Sequence, residues 1–232
     1  MTRDLGSFDA ERAKDYVRRA HLFIPAYEDL HRLTRVVLDP LLPPQARILV
    51  VGIGTGKELG ALLGPDNQWT LTGVDPSAAM LEYAGKEAES LGLTQRVKLA
   101  QGDLKNLHRG QPYHAATALL VWHFIPDNGE KLAFLQEISA RLKPGGTLVL
   151  VNLFREQGDP DEDLKYQAWG QYAVKKGWGS PEEVAEKMAD RKGKLQLVSQ
   201  ARQQELLTQA GFKPPRLFFQ ALHFGGWLAE KI

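Results

Sequence analysis

The sequence contains no cysteine among its 232 residues. Without thiols, the chain has no disulfide framework, no thiolate nucleophile and no thiolate metal ligand. It also has no excess of either charge, because 29 lysine and arginine residues stand against 28 aspartate and glutamate residues, a formal net charge of +1. The overall charge therefore does not demand a polyanionic partner such as nucleic acid.

Long hydrophobic runs are missing as well. No stretch approaches the roughly 20 apolar residues that a membrane-spanning helix needs. Residues 1–20, MTRDLGSFDAERAKDYVRRA, mix both charges and lack the apolar segment of a secretion signal. We therefore expect a cytoplasmic protein without a membrane partner. None of the six histidines forms an H-E-x-x-H motif or another close pair, so we expect no metal site.

Short apolar segments alternate with helical patterns through the middle of the chain. Some of these helical patterns end in clear turn signals, such as Lys143-Pro144-Gly145-Gly146. The alternation predicts an α/β fold, a doubly wound parallel sheet with helices on both faces. Five segments have the apolar character of buried strands: residues 47–52, 69–75, 96–103, 114–121 and 147–154.

The segment before the first strand has a different pattern. Residues 8–43 are predicted to be helical, with a break near Pro25 and a stop at Pro40. We expect these helices to cover one side of the opening of the sheet. The whole chain, residues 1–232, is expected to form a single domain around a core of residues 46–154.

Two further segments follow the core. Residues 155–200 are charged and polar, and we expect a helical insertion there, packed over a ligand site before the sixth strand. Residues 201–232 predict an amphipathic helix and then two strands, with a turn or bulge at Gly225-Gly226. The aromatic residues of the insertion either anchor it to the core or line an apolar pocket: Tyr166, Trp169, Tyr172 and Trp178.

A glycine-rich loop follows the first predicted strand in RILVVGIGTGKE, residues 47–58. Glycines let the backbone turn sharply and approach a ligand, and the next helix offers free N–H groups. The spacing of Gly52, Gly54 and Gly56 departs from the dinucleotide motif G-x-G-x-x-G, and the glutamate after Lys57 departs from the P-loop. The loop thus indicates a different nucleotide-like ligand, or a tight turn without a ligand.

Two acidic residues follow the next two strands. Asp75 ends the second strand about 20 residues after the glycines, where a carboxylate can accept hydrogen bonds from ribose hydroxyls. Asp103 ends the third strand. Each acid could instead cap a helix. Because parallel strands bring their carboxyl ends to one crevice, the glycines and both acids together favour a nucleoside site.

These segments, taken in order, resemble the motifs of class I S-adenosylmethionine-dependent methyltransferases. The similar stretches are VVGIGTGKE, LTGVDPSAAM, AQGDLKNL, ALLVWHFIP and LKPGGTLVL, within residues 46–154. The resemblance implies a Rossmann-like sheet of seven strands with an antiparallel last strand. It also implies S-adenosylmethionine as cofactor, with its methionine part along Gly52, Ile53, Gly54 and Gly56.

The same resemblance places the rest of the cofactor. The ribose would lie on Asp75, and the adenine between Pro76 and Leu104, with Asp103 at its exocyclic amine. One position departs from the family. An aspartate or glutamate usually stands two residues before the first glycine, and this chain has Val50 there. The support that this acid gives to the loop and to the methionine ammonium must come from another group.

A narrower resemblance extends to both ends of the chain. IPAYEDL near the start and LFFQALHFGGWLAEK at the end are similar to the carboxy-S-adenosylmethionine synthase family, whose product serves tRNA wobble-uridine modification. That similarity implies that Tyr27 lies over the cofactor, and that Leu119 stands where the family has a cofactor-contacting asparagine. The family's arginine for the extra carboxylate aligns with Met188, three residues before Arg191.

The sequence favours an ordinary methyltransferase on this scaffold, acting on a small molecule by in-line methyl transfer. His123 follows the fourth strand and is the candidate base for a hydroxyl or amine acceptor, unless its ring only packs against its aromatic neighbours. A carboxy-S-adenosylmethionine synthase and a noncatalytic nucleoside-binding module are the alternatives. A link to tRNA modification and a homodimer are also compatible with the sequence.

Overall fold

The computed structural model describes residues 10–232, and its centre is a seven-stranded sheet in the order β3-β2-β1-β4-β5-β7-β6. Strands β1 to β5 pair in parallel, and β7 runs antiparallel to both β5 and β6. This is the predicted α/β class I methyltransferase sheet. The strands are β1 (Arg47–Val51), β2 (Thr70–Asp75), β3 (Val97–Gln101), β4 (Tyr113–Leu119), β5 (Leu142–Leu153), β6 (Arg216–Ala221) and β7 (Phe224–Glu230).

Helices cover both faces of the sheet, which is why its central strands are mostly apolar. In β1, Ile48 and Val50 face one hydrophobic cluster, while Leu49 and Val51 face the other. The helices are α1 (Ala10–Phe23), α2 (Tyr27–Leu38), α3 (Lys57–Leu62), α4 (Ala78–Ser90), α5 (Glu130–Ser139), α6 (Glu162–Lys175), α7 (Pro181–Lys194) and α8 (Gln200–Gln209).

The first two helices lie on the β1 face that carries Val50. The helical segment predicted for residues 8–43 contains α1 and α2, while its first two residues lie outside the described part of the chain. The predicted break occurs at Pro25 and Ala26, and α2 ends two residues before Pro40. Ala26 has a left-handed backbone (φ 55°), which turns the chain so that Tyr27 begins α2 facing the protein interior.

The prediction that the chain turns at Gly225-Gly226 was wrong. These glycines lie inside β7, and the chain turns at Leu222 and His223. A β-carbon on Gly225 would come within 2.3 Å of the Trp227 ring, so glycine at this position makes room for a neighbouring indole. The irregularity in this hairpin lies in β6, where the register shifts between Leu217 and Phe219.

The turn expected at residues 143–146 is also part of a strand. β5 begins at Leu142 and includes these residues, although Gly145 keeps a left-handed backbone (φ 74°). Gly145 donates a backbone hydrogen bond to Lys231, and Lys231 donates one to Gly146. The final residues of the chain therefore hold this segment in the sheet. Within residues 10–232, no helix has both the length and the apolar character needed to cross a bilayer.

Candidate active site

The glycine loop lies at the carboxyl end of β1, as the sequence predicts. Gly52 has a positive φ of 72°, and a β-carbon there would come within 2.4 Å of the Val121 side chain. Gly56 has a φ of 82°, and its β-carbon would come within 3.0 Å of the Ala84 backbone. Larger residues at these two positions would strain the backbone and push the loop away from the segment after β4 and from helix α4. The loop therefore packs closely against its surroundings.

Asp75 joins the end of β2 to the glycine loop. One carboxylate oxygen (Oδ2) accepts a hydrogen bond from the Gly54 backbone N–H at 2.9 Å, and the other (Oδ1) accepts one from the Ser77 N–H, also at 2.9 Å. Burial raises the pKa of this carboxyl, and the two N–H donors oppose that shift. Ser77, rather than Asp75, caps helix α4. Each oxygen of Asp75 has a second lone pair, so ribose hydroxyls can donate to it.

The residues expected around the adenine follow β2 and β3. The Gly102 backbone N–H donates to the Asp75 carbonyl at 3.0 Å, which places the end of β3 beside Asp75. Asp103 has an exposed side chain that makes no capping hydrogen bond, while Leu104 is buried. Pro76, which follows β2, is exposed. An adenine between Pro76 and Leu104 remains a prediction.

The segment after β4 brings Leu119 and His123 to the same edge of the sheet. Leu119 is the last residue of β4 and is buried, and Leu120 has a left-handed backbone (φ 62°). Such a conformation is costly for a branched residue and concentrates at functional sites. It redirects the chain into a short 3₁₀ turn, Trp122–Phe124, which contains the buried His123.

The surroundings of His123 determine its charge and which ring nitrogen carries the proton. Its Nδ1 accepts a hydrogen bond from the Leu153 backbone N–H at 3.3 Å. Burial, and then the nearby Arg191 guanidinium, lower the pKa of His123 to about 3. The ring is therefore neutral near pH 7, and its proton is on Nε2. In this tautomer Nε2 donates a hydrogen bond rather than accepting a proton, so these contacts favour an orienting role over the base role, which stays a prediction.

Tyr27 lies on the side of the site formed by the N-terminal helices. It is buried, its ring meets His31 edge-on at 4.8 Å, and its hydroxyl forms a hydrogen bond with Tyr16. Burial raises the pKa of both tyrosines. The charges of Glu58 and Asp75 add to the upward shift of the Tyr16 pKa.

The insertion is fixed to α1 by its aromatic residues. The indole N–H of Trp169 donates to the Phe23 carbonyl at 2.7 Å, and the Phe23 ring lies 5.1 Å from Trp169 and 5.4 Å from Trp178. The Arg19 guanidinium lies over the Trp178 ring at 4.1 Å. These contacts favour the anchoring role for the two tryptophans, and they hold α6 and α7 over the site.

Arg191 is a partly buried cation on α7, and its Nε atom is fully enclosed. Its guanidinium carbon lies 4.4 Å from the centre of the Phe23 ring, and its charge acts on both Tyr16 and His123. Within residues 10–232, no carboxylate forms an ion pair with this guanidinium, and its Nε is buried without a hydrogen-bond partner. A buried, unpaired cation is costly, so an anionic ligand group would be favoured beside it.

Glu58 is the site residue that sequence reasoning missed. It lies in the first turn of α3, and its Oε2 accepts a hydrogen bond from the Thr117 hydroxyl at 2.6 Å. Burial raises its pKa to about 7, against the opposing effect of this hydrogen bond. The only signal in the sequence was indirect, because the acid missing at Val50 indicated that another group must replace it.

The comparisons with known proteins agree with this geometry. A family model described as a methyltransferase domain matches residues 48–146. The carboxy-S-adenosyl-L-methionine synthase of Marinobacter nauticus is 26% identical over 97% of this chain and 89% of its own length. The trans-aconitate 2-methyltransferase of Deinococcus radiodurans is 36% identical, over 49% of this chain and 41% of its own.

A solved structure supports the fold. The O-methyltransferase from neocarzinostatin biosynthesis, in complex with S-adenosylmethionine and 2-hydroxy-5-methyl naphthoic acid, superposes with a TM-score of 0.65 at 18% identity. The match covers 99% of this chain and 60% of that protein. Residues 48–146 thus match a methyltransferase domain, and the sheet has the class I methyltransferase fold. Along almost its whole length, it is similar to the carboxy-S-adenosylmethionine synthases.

The residues present fit the cofactor of this class, S-adenosylmethionine. A β-carbon on Gly54 would meet only the Gly52 carbonyl oxygen, at 4.0 Å, so the loop leaves room for a ligand there, and Asp75 offers carboxylate oxygens at the ribose position. The buried Glu58 carboxylate has no cationic partner within the described residues, and the methionine part carries an ammonium. The cofactor supplies an electrophilic methyl group on a sulfonium.

Proposed function

We propose that this enzyme methylates a small molecule that carries an anionic group. The observation that supports this proposal is Arg191, a partly buried cation without an ion pair among the described residues, beside Tyr16 and His123. An acceptor carboxylate beside Arg191 would neutralise the guanidinium. The names of two similar proteins mention acidic compounds, trans-aconitate and a naphthoic acid.

In this proposal the protein acts mainly by positioning. An anionic oxygen of the acceptor, which carries no proton, forms a bond to the methyl carbon while the carbon–sulfur bond breaks, which leaves S-adenosylhomocysteine and the methylated product. Arg191 holds the acceptor, the His123 Nε2–H donates to it, and the helices α1, α6 and α7 exclude water. Orientation of this kind supplies much of the rate of a displacement reaction.

The test is an assay with S-adenosylmethionine and trans-aconitate, 2-hydroxy-5-methyl naphthoic acid and other small carboxylic acids, with S-adenosylhomocysteine measured by mass spectrometry. We expect at least one acid to give product. For that acid, Arg191→Met should raise KM at least about tenfold, because the acceptor loses a charged hydrogen-bond donor.

Lys194→Met is the matched control, since Lys194 is an exposed cation on the same helix and pairs with Asp190. It should leave KM within about twofold. Failure of every acid to give product, in a protein that binds S-adenosylhomocysteine, would contradict the proposal. Formation of any methylated product excludes a noncatalytic binding module.

Carboxy-S-adenosylmethionine synthesis is the second candidate, and two observations favour it. The similarity to those synthases covers nearly the full chain, and Arg191 places a cation in the insertion although Met188 occupies the aligned position. In this case Arg191 would bind the carboxylate of the modified cofactor. Incubation with S-adenosylmethionine and prephenate, followed by mass spectrometry, distinguishes the candidates. A carboxylated sulfonium supports the synthase, and unchanged cofactor counts against it.

The remaining features of the sequence interpretation stay predictions. A cytoplasmic location, a homodimer and a link to tRNA modification are compatible with the composition and with the family resemblance. Size-exclusion chromatography with light scattering would test the homodimer directly.

A further inference from the structure

Glu58 occupies an unusual position for a glutamate. It is the second residue of α3, directly after the glycine loop, and its side chain is only 4% exposed. Its neighbour Lys57 does not pair with it, because the Lys57 ammonium lies 3.0 Å from Glu28 on α2. Within residues 10–232, the hydrogen bond from Thr117 is the only polar side-chain contact of the Glu58 carboxylate. A buried carboxylate with so little compensation is destabilising unless a ligand supplies a partner.

The position of Thr117 locates this carboxylate. Thr117 on β4 is the register partner of Val50 on β1, so the two side chains project from the same face of the sheet. Ala115 and Leu119, which alternate with Thr117, pack in the same hydrophobic cluster as Val50. The Glu58 carboxylate therefore reaches β4 at Thr117, which lies next to Val50 on β1. Val50 is the position at which related enzymes have an acid.

We propose that Glu58 binds the methionine ammonium of the cofactor and replaces the acid that Val50 lacks. This inference rests on the S-adenosylmethionine assignment. The carboxylate comes from the helix after the glycine loop rather than from the strand before it. The ammonium of the cofactor gives Glu58 an ionic partner, and Thr117 holds one carboxylate oxygen in place.

Glu58 could instead be a neutral acid that only supports α3 against β4. The two roles differ in the part of the cofactor to which they respond. S-adenosylhomocysteine has the ammonium, whereas 5′-methylthioadenosine has the same adenosine and thioether without the amino-acid part. A residue that binds the ammonium affects only the first ligand, and a residue that supports the loop affects both.

The experiment is calorimetric titration of both ligands into the wild type and Glu58→Gln. Glutamine keeps the shape and can still accept the Thr117 hydrogen bond. We expect affinity for S-adenosylhomocysteine to fall at least about tenfold, and affinity for 5′-methylthioadenosine to change less than about twofold. Glu28→Gln, a change of an exposed acid on α2, is the control and should alter neither.

An equal loss for both ligands, or no loss for either, would overturn the role of Glu58 while leaving the cofactor assignment intact. A wild type that binds neither ligand would overturn the cofactor assignment itself, and this inference with it.

A second measurement uses the wild type alone and does not depend on the folding of a variant. Burial raises the pKa of Glu58 to about 7, so an ammonium beside it should displace a proton at pH 7. Titrations in two buffers of different ionisation enthalpy should show proton release with S-adenosylhomocysteine and less with 5′-methylthioadenosine. Equal release for both would contradict the proposal. The other titratable or charged groups near Glu58 are Tyr16, Tyr27, Lys57, Asp75 and His31.

Discussion

At the scale of residues, the site holds a buried acid, Glu58, and a partly buried cation, Arg191, which do not pair with each other. Glu58 contacts Thr117 under the glycine loop, and Arg191 contacts Phe23 on the side of the insertion. Separated charges of this kind suit two ligands, a cofactor that carries an ammonium and an acceptor that carries an anionic group. The sequence predicted Asp75, because its distance from the glycines and its place after β2 are local features.

Neither Glu58 nor Arg191 could be predicted from the sequence as Asp75 could. The Glu58 side chain reaches β4 only because α3 packs on the face of the sheet that carries Thr117. The contact between Glu58 and Thr117 spans 59 positions in the chain. Arg191 enters the site because α7 lies over α1, which an alignment of residues with Met188 does not capture. Both depend on packing between distant segments.

The raised pKa of Glu58 predicts that the difference in stability between wild type and Glu58→Gln depends on pH. Its pKa is about 7 in the folded chain and 4.5 in its unperturbed state, so the folded form binds more protons between these values. Stability from this group is therefore present below pH 4.5 and is lost as the pH rises through 7. Replacement by glutamine removes this loss. The stability of Glu58→Gln relative to wild type should rise between pH 5 and pH 8, by up to about 3 kcal/mol.

Urea unfolding of both proteins without ligand at several pH values checks this prediction. Only the difference between the proteins is used, because the buried histidines contribute a pH dependence common to both. A difference that stays constant from pH 5 to pH 8 would show that Glu58 ionises normally in the folded protein.

At the scale of elements, the N-terminal helices and the insertion pack against each other, and that they together cover the site stays a prediction. Strands and helices of the core were predicted well, since alternating apolar segments and helical periodicity are local. The segment at Gly225-Gly226 was predicted wrongly because glycine pairs usually indicate turns. Here the glycines serve packing against Trp227 and Phe218, which no local pattern reveals.

The cover should loosen when its central hydrogen bond is removed. Trp169 is fully buried and donates its indole N–H to Phe23. Trp169→Phe removes this donor and leaves a small cavity, so it should cost about 1–3 kcal/mol and weaken S-adenosylhomocysteine binding. Hydrogen exchange should increase in α1 and α6 and remain unchanged in β1 and β4.

Tyr172→Phe is the matched control for this experiment. The Tyr172 hydroxyl lies 3.5 Å from the His21 carbonyl, at the limit of a hydrogen bond, and should contribute less than about 0.5 kcal/mol. If both variants leave exchange in α1 and α6 at the level of the wild type, the aromatic cluster does not hold the cover in place.

At the scale of the whole molecule, the chain has the class I methyltransferase fold, and we propose that one part of its cofactor site has changed position. The sheet order and the antiparallel β7 follow the family resemblance, and the glycine loop and Asp75 converge as expected. The acid normally found on β1 is absent at Val50, and the carboxylate beside that position comes from α3. Sequence alone revealed the missing acid, but the replacement required the packing of α3 on β4.

The most direct test of this account is the S-adenosylhomocysteine affinity of four proteins: wild type, Val50→Asp, Glu58→Gln and the double variant, each checked for folding by circular dichroism. If Glu58 replaces the missing acid, Val50→Asp should bring no gain in the wild type, because two carboxylates would compete for one ammonium. In the Glu58→Gln background, Val50→Asp should raise the affinity for S-adenosylhomocysteine at least about fivefold. An equal effect of Val50→Asp in both backgrounds would contradict the account, since the two positions would then act independently.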